Sequence, residues 1–473
     1  MESAKLRKIV LLAGAVAATA ASAGSLPSDG LQVHFRADDQ AALNNGAGAG
    51  QWEEVTNWQG GGVAAPLLKR VVAPNGTLRN VPHFVTNGFA RTDGTVSPAL
   101  RFCVNENGTG RASAVSVLAS DAMQFGFTGT DYTWFFAFNG IPNSEASMNW
   151  KGYWGMADAT ANGYYLGLAT RNNNSGKSVF YAWGGAATMG TSLIASSVDV
   201  EAGRRLIDVR GRYKKAIATG YMNGEQSTAH DWVATLAQPV DCRLAFGNAN
   251  DSLEGDDVWG AAPMDVGELA IYNRALNDAE CVIVREALTA RWGLPTANIL
   301  YTGASGGWCD ELVGIGSSTA TGSGKIAGAV ETSASSRGLT LAVTAGALDG
   351  ADGYVFAAAC SGGSSGSAQE EGLKMTRTVN TWRIEKAALE TWPDLALFFD
   401  PSGYDIASRV AERPAKVALL KLSNGAFEVV SGVTATYDAD SGTLAFGCPT
   451  GTLADGVYTV GVADATGMTV TIR

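Results

Sequence analysis

The side chains best suited to bind a ligand are aromatic residues that cluster in the first half of the chain. They are Trp150, Tyr153, Trp154, Tyr164 and Trp183. Sugars bind proteins largely by stacking their apolar faces on such rings, while amides and carboxylates contact the hydroxyl groups. Asn173, in a nearby run of asparagines, could supply polar contacts. The cluster indicates a carbohydrate-binding surface, with the alternative that at least half of the rings fill the core of a β-sandwich, in which alternate side chains point inward.

Residues 248–257 form an acidic segment that could bind a hard cation. It contains two asparagines and four carboxylates, namely Asp251, Glu254, Asp256 and Asp257. Calcium takes about six to eight oxygen ligands, which a flexible, glycine-containing turn can supply. The spacing does not match an EF-hand, so the alternative is a solvated acidic loop. Calcium is therefore the one cofactor that the sequence suggests.

Catalytic motifs occur only in incomplete form. Ser197-Val-Asp-Val-Glu201 is the nearest match to the Glu-x-Asp-x-Glu strand of some glycoside hydrolases, but a serine stands at the nucleophile position and cannot form a glycosyl ester. Two Gly-x-Ser-x-Gly segments, at 303–307 and 362–366, both follow the last histidine, His230. The Ser…Asp/Glu…His order of α/β-hydrolases is therefore missing. We expect no catalytic residues, and a carboxylate pair assembled from distant strands stays open as an alternative.

Composition and charge narrow the class of protein. The formal net charge is −11 at pH 7, which argues against nucleic acid or anionic membranes as partners because phosphates are bound by clustered Lys and Arg. Gly is frequent, with 59 residues, and it punctuates many short β-rich runs, which indicates an all-β architecture. The six cysteines include no Cys-x-x-Cys pair, so zinc-ribbon and thioredoxin-type sites are excluded, and disulfide connectivity cannot be deduced.

The N-terminal residues predict export. Lys5, Arg7 and Lys8 precede an apolar run from Ile9 to Val16, and Ala21-Ser-Ala23 fits a cleavage site. We therefore expect a signal peptide over residues 1–23 and a secreted or cell-surface protein, with an uncleaved membrane anchor as the alternative. No later stretch is long and apolar enough to predict a transmembrane segment.

One segment predicts a strand followed by a helix in a chain otherwise rich in strand patterns. Gly267–Tyr272 alternates like a strand. Asn277 can then act as the N-cap of a helix, and Glu280, three residues later, completes a capping box. Gly293 and Pro295 are expected to end this helix.

This segment resembles the closing strand of laminin-G-like, concanavalin A-like jellyrolls found in bacterial secreted or surface proteins. Val55-Thr-Asn-Trp58 and Tyr221-Met-Asn-Gly224 also match phrases of that group, in the expected order. The resemblance covers residues 28–296. It implies a two-sheet jellyroll sandwich, which we assign to residues 24–296.

The composition changes after Pro295, so residues 297–473 are predicted to form a second, smaller β-sandwich with the one short helix between the two. Trp308–Gly316 and Thr381–Glu385 resemble a small β domain that trails such jellyrolls. The resemblance implies no activity for this companion domain.

Three functions remain open at this stage. The first is an exported non-catalytic binding protein, lectin-like and adhesive, whose partner is a carbohydrate or another cell-surface component. The second is a secreted carbohydrate-active enzyme of jellyroll fold. The third is a structural envelope or matrix protein without a small-molecule ligand.

Overall fold

The fold is given by a computed structural model. It describes residues 26–72, 76, 78–91, 93–104, 116–127, 130–141, 151–158, 164–172, 178–184, 203–211, 218–223, 225–230, 241–247, 262–296, 298–322, 325–361 and 363–464. The signal peptide predicted over residues 1–23 lies outside this part of the chain. Strands and helices are numbered in chain order.

The first half of the chain forms two sheets. Sheet 1 contains β1 (Leu31–Arg36), β4 (His83–Ala90), β5 (Val96–Phe102), β7 (Tyr132–Gly140), β11 (Gly203–Gly211), β12 (Ala218–Met222), β13 (Glu225–His230) and β15 (Met264–Tyr272). Sheet 2 contains β2 (Asn57–Gln59), β3 (Leu67–Arg70), β6 (Leu118–Ala119), β8 (Gly152–Asp158), β9 (Tyr164–Asn172), β10 (Ser178–Gly184) and β14 (Cys242–Phe246). The strand orders are β13-β12-β11-β7-β15-β5-β4, with β1 also on β15, and β10-β9-β8-β14-β6-β3-β2.

The second half forms two further sheets. Sheet 3 contains β16 (Trp308–Ser318), β17 (Gly328–Val330), β19 (Gly353–Cys360), β20 (Ser367–Glu370), β21 (Met375–Thr378), β22 (Trp382–Ala387), β24 (Val417–Ser423), β25 (Ala426–Val429) and β28 (Gly456–Ala463). Sheet 4 contains β18 (Leu339–Val343), β23 (Leu395–Phe399), β26 (Thr434–Asp438) and β27 (Thr443–Cys448). The described residues contain two α-helices, α1 (Asp278–Trp292) and α2 (Ala407–Glu412). The all-β prediction is confirmed. The short α2, which has no side-chain cap, was not predicted from the sequence.

Aromatic rings fill the core between sheets 1 and 2. The inward positions of β7 alternate, and Trp134 meets Trp154 of β8 edge to face, with ring centroids 5.1 Å apart. Phe138 packs against Tyr153 at 4.9 Å. Because all four rings are fully buried, they stabilise the first sandwich by excluding water from a large apolar area.

Helix α1 has the ends that its sequence predicts. The Asn277 side chain accepts a hydrogen bond from the Glu280 N–H at 2.9 Å, and the Glu280 carboxylate accepts from the Asn277 N–H at 2.8 Å. Gly293 ends the helix in the left-handed region at φ 58°, which a residue without Cβ adopts readily. The predicted capping box and the glycine stop are both confirmed.

Replacing Asn277 with alanine is expected to lower the free energy of unfolding by about 1 kcal/mol, because the Glu280 amide loses its acceptor at the helix end. Urea titration of the full chain measures the change. Asn277→Asp, which keeps an acceptor oxygen at this position, is the matched control and should stay close to the original stability. Equal losses in both variants would mean that the contribution of Asn277 is not capping.

Helix α1 lies between the two sandwiches, so apolar residues on both of its sides are buried. Toward sheet 1, Arg285 pairs with Asp208 of β11 at 2.6 Å. Toward sheet 3, the backbone of β16 comes so close that a Cβ on Gly314 would lie 3.2 Å from Ile283 Cγ1. Helix residues share one core cluster with Phe356 of β19. The helix is therefore a middle layer between sheets 1 and 3, while the domain division at residues 296 and 297 stays a prediction.

The two sequence segments that resemble a trailing β domain are structural in this chain. Trp308 Nε1 donates to Thr381 Oγ1 at 3.2 Å, and Trp382 Nε1 donates to the Ser336 carbonyl at 2.8 Å. Asp310 pairs with Arg337 at 2.9 Å. The first contact joins the two segments to each other, and the other two join them to the turn at Ser336 and Arg337, which explains why they carry tryptophan and charge.

The six cysteines are all free thiols, and five of them are buried. They therefore form no disulfide framework, and most of them pack in the interior of the protein. No helix in the described part of the chain is long and apolar enough to cross a membrane.

Candidate ligand-binding surface

The aromatic cluster predicted from the sequence is only partly described by the structure. Tyr153 and Trp154 are fully buried in the core of the first sandwich, so neither ring offers a face to a ligand in solution. This corrects their assignment to a binding surface in favour of the core alternative. The register of β8 against β9 shifts between Gly152 and Trp154, and such an irregularity interrupts the alternation of side chains at these two neighbouring rings.

The remaining predicted site residues lie outside what the structure describes. This holds for Trp150 and Asn173, for the side chains of Tyr164 and Trp183, and for the acidic residues Asp251, Glu254, Asp256 and Asp257. Tyr164 begins β9, and Trp183 lies in β10. Among the described residues, no group of three or more His, Cys, Asp or Glu side chains could hold a metal ion.

A different group of side chains meets on the outer face of sheet 1. His83 of β4 pairs in register with Arg101 of β5, and Arg101 pairs with Asp265 of β15. Their strand neighbours Phe84, Leu100 and Val266 point into the core. Since side chains alternate along a strand, the three polar residues share the opposite face. Trp52 lies beside them, and we call Trp52, His83 and Arg101 the Trp52 patch.

Arg101 is held in one orientation by a carboxylate behind it. Its Nε and Nη2 donate to the two oxygens of Asp265 at 2.6 and 2.8 Å. Asp265 is completely buried, whereas Arg101 keeps 17% of its side chain exposed. Burial raises the pKa of the Asp265 carboxyl, against the opposing effect of the bonds from Arg101. The pair therefore fixes the guanidinium of a partly exposed side chain, and Nη1 takes no part in the two bonds to Asp265.

Trp52 has an unfavourable backbone conformation, with φ at 62°. A bulky residue in the left-handed region is uncommon, and the strain costs about 1–3 kcal/mol. Two backbone bonds hold the segment in place: Trp52 N–H donates to the Phe84 carbonyl at 2.8 Å, and Phe84 N–H donates to the Glu53 carbonyl at 2.9 Å. Strain of this kind clusters at ligand-binding and catalytic sites, so it marks Trp52 as a candidate.

The indole of Trp52 is partly exposed and has polar neighbours. The Arg101 Cζ atom lies 5.5 Å from the ring centroid, within the range of a cation–π contact. The His83 ring centroid lies 6.0 Å from it. An aromatic surface with hydrogen-bond donors beside it suits a ligand that has both apolar faces and oxygen acceptors. Both oxygens of Asp265 accept from Arg101, so this carboxylate is not free to act as a nucleophile or general base.

Sequence reasoning missed this patch because its three members and the supporting Asp265 come from four separate segments. His83, Arg101 and Asp265 lie on three different strands, and only the register of these strands brings the side chains together. The one local signal was a tryptophan two residues after the glycine-rich segment Gly46–Gly50.

Comparisons with known proteins give only weak similarities. No protein-family model matches the chain, and no curated protein matches it. A Trypanosoma rangeli sialidase mutant with trans-sialidase activity is 13% identical over 57% of this chain and 34% of its own, with a TM-score of 0.35. Domain 4 of AbnA, a GH43 extracellular arabinanase from Geobacillus stearothermophilus in complex with arabinotriose, is 10% identical over 55% and 97%, with a TM-score of 0.29.

The native heptameric SAP-like pentraxin of Limulus polyphemus is 13% identical over 39% of this chain and 86% of its own, with a TM-score of 0.27. This chain spans about a third of the length of the sialidase mutant. Similarities this weak carry no argument about ligand or activity, so the function must be argued from the side chains.

Proposed function

We propose that this protein is an exported, non-catalytic binding protein that binds a glycan at the Trp52 patch. The observation that carries the proposal is a strained, partly exposed tryptophan beside a guanidinium that a buried carboxylate holds in place. Export rests on the signal sequence over residues 1–23, and the laminin-G-like jellyroll assignment rests on the sequence phrases named above.

The chemistry of the patch fits a sugar better than other ligand classes. A pyranose ring has apolar C–H faces that pack on an indole, and its hydroxyl oxygens accept hydrogen bonds from a guanidinium or imidazole. The patch offers one guanidinium whose charge Asp265 partly offsets, which is too little for the clustered phosphates of nucleic acid. The alternatives are a carbohydrate-active enzyme, which would shorten a bound glycan, and a purely structural protein, which would bind none.

Arg101→Lys is expected to weaken glycan binding by about tenfold. Lysine keeps a positive charge next to Asp265 but lacks the planar fork that leaves Nη1 over for a ligand while Nε and Nη2 bind the carboxylate. A glycan array first identifies a ligand for the unaltered protein, and titration calorimetry then compares the variant with it. Lys421→Arg, in β24 of the second sandwich, is the matched control and should bind normally.

Chelation of calcium separates the two candidate sites. At the Trp52 patch both oxygens of Asp265 are occupied by Arg101, so binding there should survive EGTA. Calcium in the loop of Asp251, Glu254, Asp256 and Asp257 remains our second proposal, and loss of binding in EGTA would assign the glycan to that loop instead. Absence of binding to every glycan would overturn the glycan proposal, and release of shortened sugars would support the enzyme.

A further inference from the structure

The segment that joins the two sandwiches is held by two buried carboxylates from different elements. Glu286 of α1 accepts hydrogen bonds from the Leu300 N–H at 3.2 Å and the Tyr301 N–H at 3.1 Å. Glu385 of β22 accepts from both the N–H and the hydroxyl of Thr302. Three consecutive backbone amides therefore depend on carboxylate acceptors, and we call this arrangement the linker clasp.

Both carboxylates of the clasp are shielded from water, with Glu286 5% exposed and Glu385 3% exposed. Glu385 also accepts from Arg383 Nε at 3.0 Å. Glu286 has no ion-pair partner among the described residues, because the adjacent Arg285 is bound to Asp208 at 2.6 and 3.0 Å. A buried carboxylate that only backbone amides contact is costly to ionise.

The groups facing Glu286 come from every element packed around it. Helix α1 contributes Arg285, and β22 contributes Glu385 and Arg383. The linker contributes Tyr301, whose hydroxyl donates to the Trp308 carbonyl at 2.8 Å. Burial raises the pKa of Glu286 to about 7, and the like charge of Glu385 adds to the effect, against the opposing influence of the two amides and Arg285.

The direction of the pH effect follows from this shift. The ordinary carboxyl value is 4.5, so between about 4.5 and about 7 the folded protein keeps a proton that the unfolded chain has lost. The free energy of unfolding therefore falls as pH rises through this window. Above it, two negative charges lie next to the same short segment and repel each other.

We propose that Glu286 and Glu385 form a proton-dependent clasp on the linker, closed when Glu286 carries a proton and loosened when Glu286 is ionised. The clasp sets how firmly the linker, and with it the second sandwich, is held against α1. Its consequence is a joint that is firm in mildly acidic surroundings and more mobile in alkaline ones. The inference does not depend on the glycan proposal.

Amide hydrogen exchange of the full chain tests the clasp. Protection of the Leu300, Tyr301 and Thr302 amides, relative to an unstructured peptide at the same pH, should fall about tenfold from pH 5.5 to pH 8.5. In Glu286→Gln, which cannot ionise, protection should vary less than about twofold. Flat protection in the original protein, or the original pH profile in the variant, would overturn the proposal.

Two further variants keep the test decisive if Glu286→Gln folds poorly. Glu385→Gln removes the neighbouring charge that helps to raise the pKa of Glu286, so in this variant the loosening should begin at lower pH and should be smaller, because no like charge repels the ionised Glu286. Glu331→Gln alters a carboxylate that also accepts a backbone amide, that of Gly346, but lies away from the linker. It should reproduce the original profile, and a changed profile there would show that the effect is not specific to the clasp.

Discussion

Glu268→Ala is expected to lower the free energy of unfolding by about 3–5 kcal/mol, because it removes the buried carboxylate that binds Arg291 and Trp292. Glu268 is completely buried in β15. Arg291 Nη1 donates to its two oxygens at 2.8 and 2.6 Å, and Trp292 Nε1 donates at 2.8 Å. His34 Nε2 lies 2.7 Å from the other side of the carboxylate. One side chain thus fixes the last turn of α1 to sheet 1.

Urea titration of the Glu268 variant and of Asp121→Ala provides the comparison. Asp121 forms an exposed pair with Lys69, and such pairs contribute less than about 1 kcal/mol. A similar, small loss in both variants would show that the buried network adds little to stability.

The stabilisation by Glu268 should also depend on pH. Burial alone would raise the pKa of this carboxyl, but Arg291 and His34 outweigh burial and hold it well below its ordinary value of 4.5. The stabilisation is therefore present above pH 4.5 and is lost as pH falls below it. This window lies on the acidic side of the one set by Glu286, so the two effects can be separated in one pH series.

Trp52→Ala is expected to weaken glycan binding about 30-fold or more, because aromatic anchors at the centre of an interface contribute about 2 kcal/mol or more. Titration calorimetry with a glycan identified on the array measures the loss. Trp392→Ala is the matched control, since Trp392 is a partly buried tryptophan of the second sandwich and its loss should leave affinity unchanged. Equal affinity of the Trp52 variant and the original protein would exclude the patch as the binding site.

The sequence predicted those features whose causes are local. Asn277 and Glu280 are three residues apart, so their reciprocal bonds could be expected from the sequence alone. The all-β class followed from short alternating runs, which depend on nearest neighbours. Trp154 is a residue for which local reasoning is not sufficient. The sequence could not decide whether this ring lies on the inner or the outer face of its strand, and the packing of sheet 2 against sheet 1 buries it.

The candidate site depends on contacts across long stretches of chain. Arg101 and Asp265 are 164 residues apart, and they meet only because β5 and β15 are neighbours in one particular register. A shift of one residue would turn either side chain to the other face of the sheet. The linker clasp also depends on contacts that are distant in sequence, since Glu286 lies on helix α1 and Glu385 lies on β22 of sheet 3.

The most direct test of the binding site is an NMR spectrum of the indole N–H groups during titration with the identified glycan. The chain contains 12 tryptophans, and the Trp52 resonance can be assigned by its loss in Trp52→Phe. We predict a saturable shift of the Trp52 signal while the Trp392 signal stays in place. A saturable shift of Trp150 or Trp183 with no change at Trp52 would contradict the proposed site.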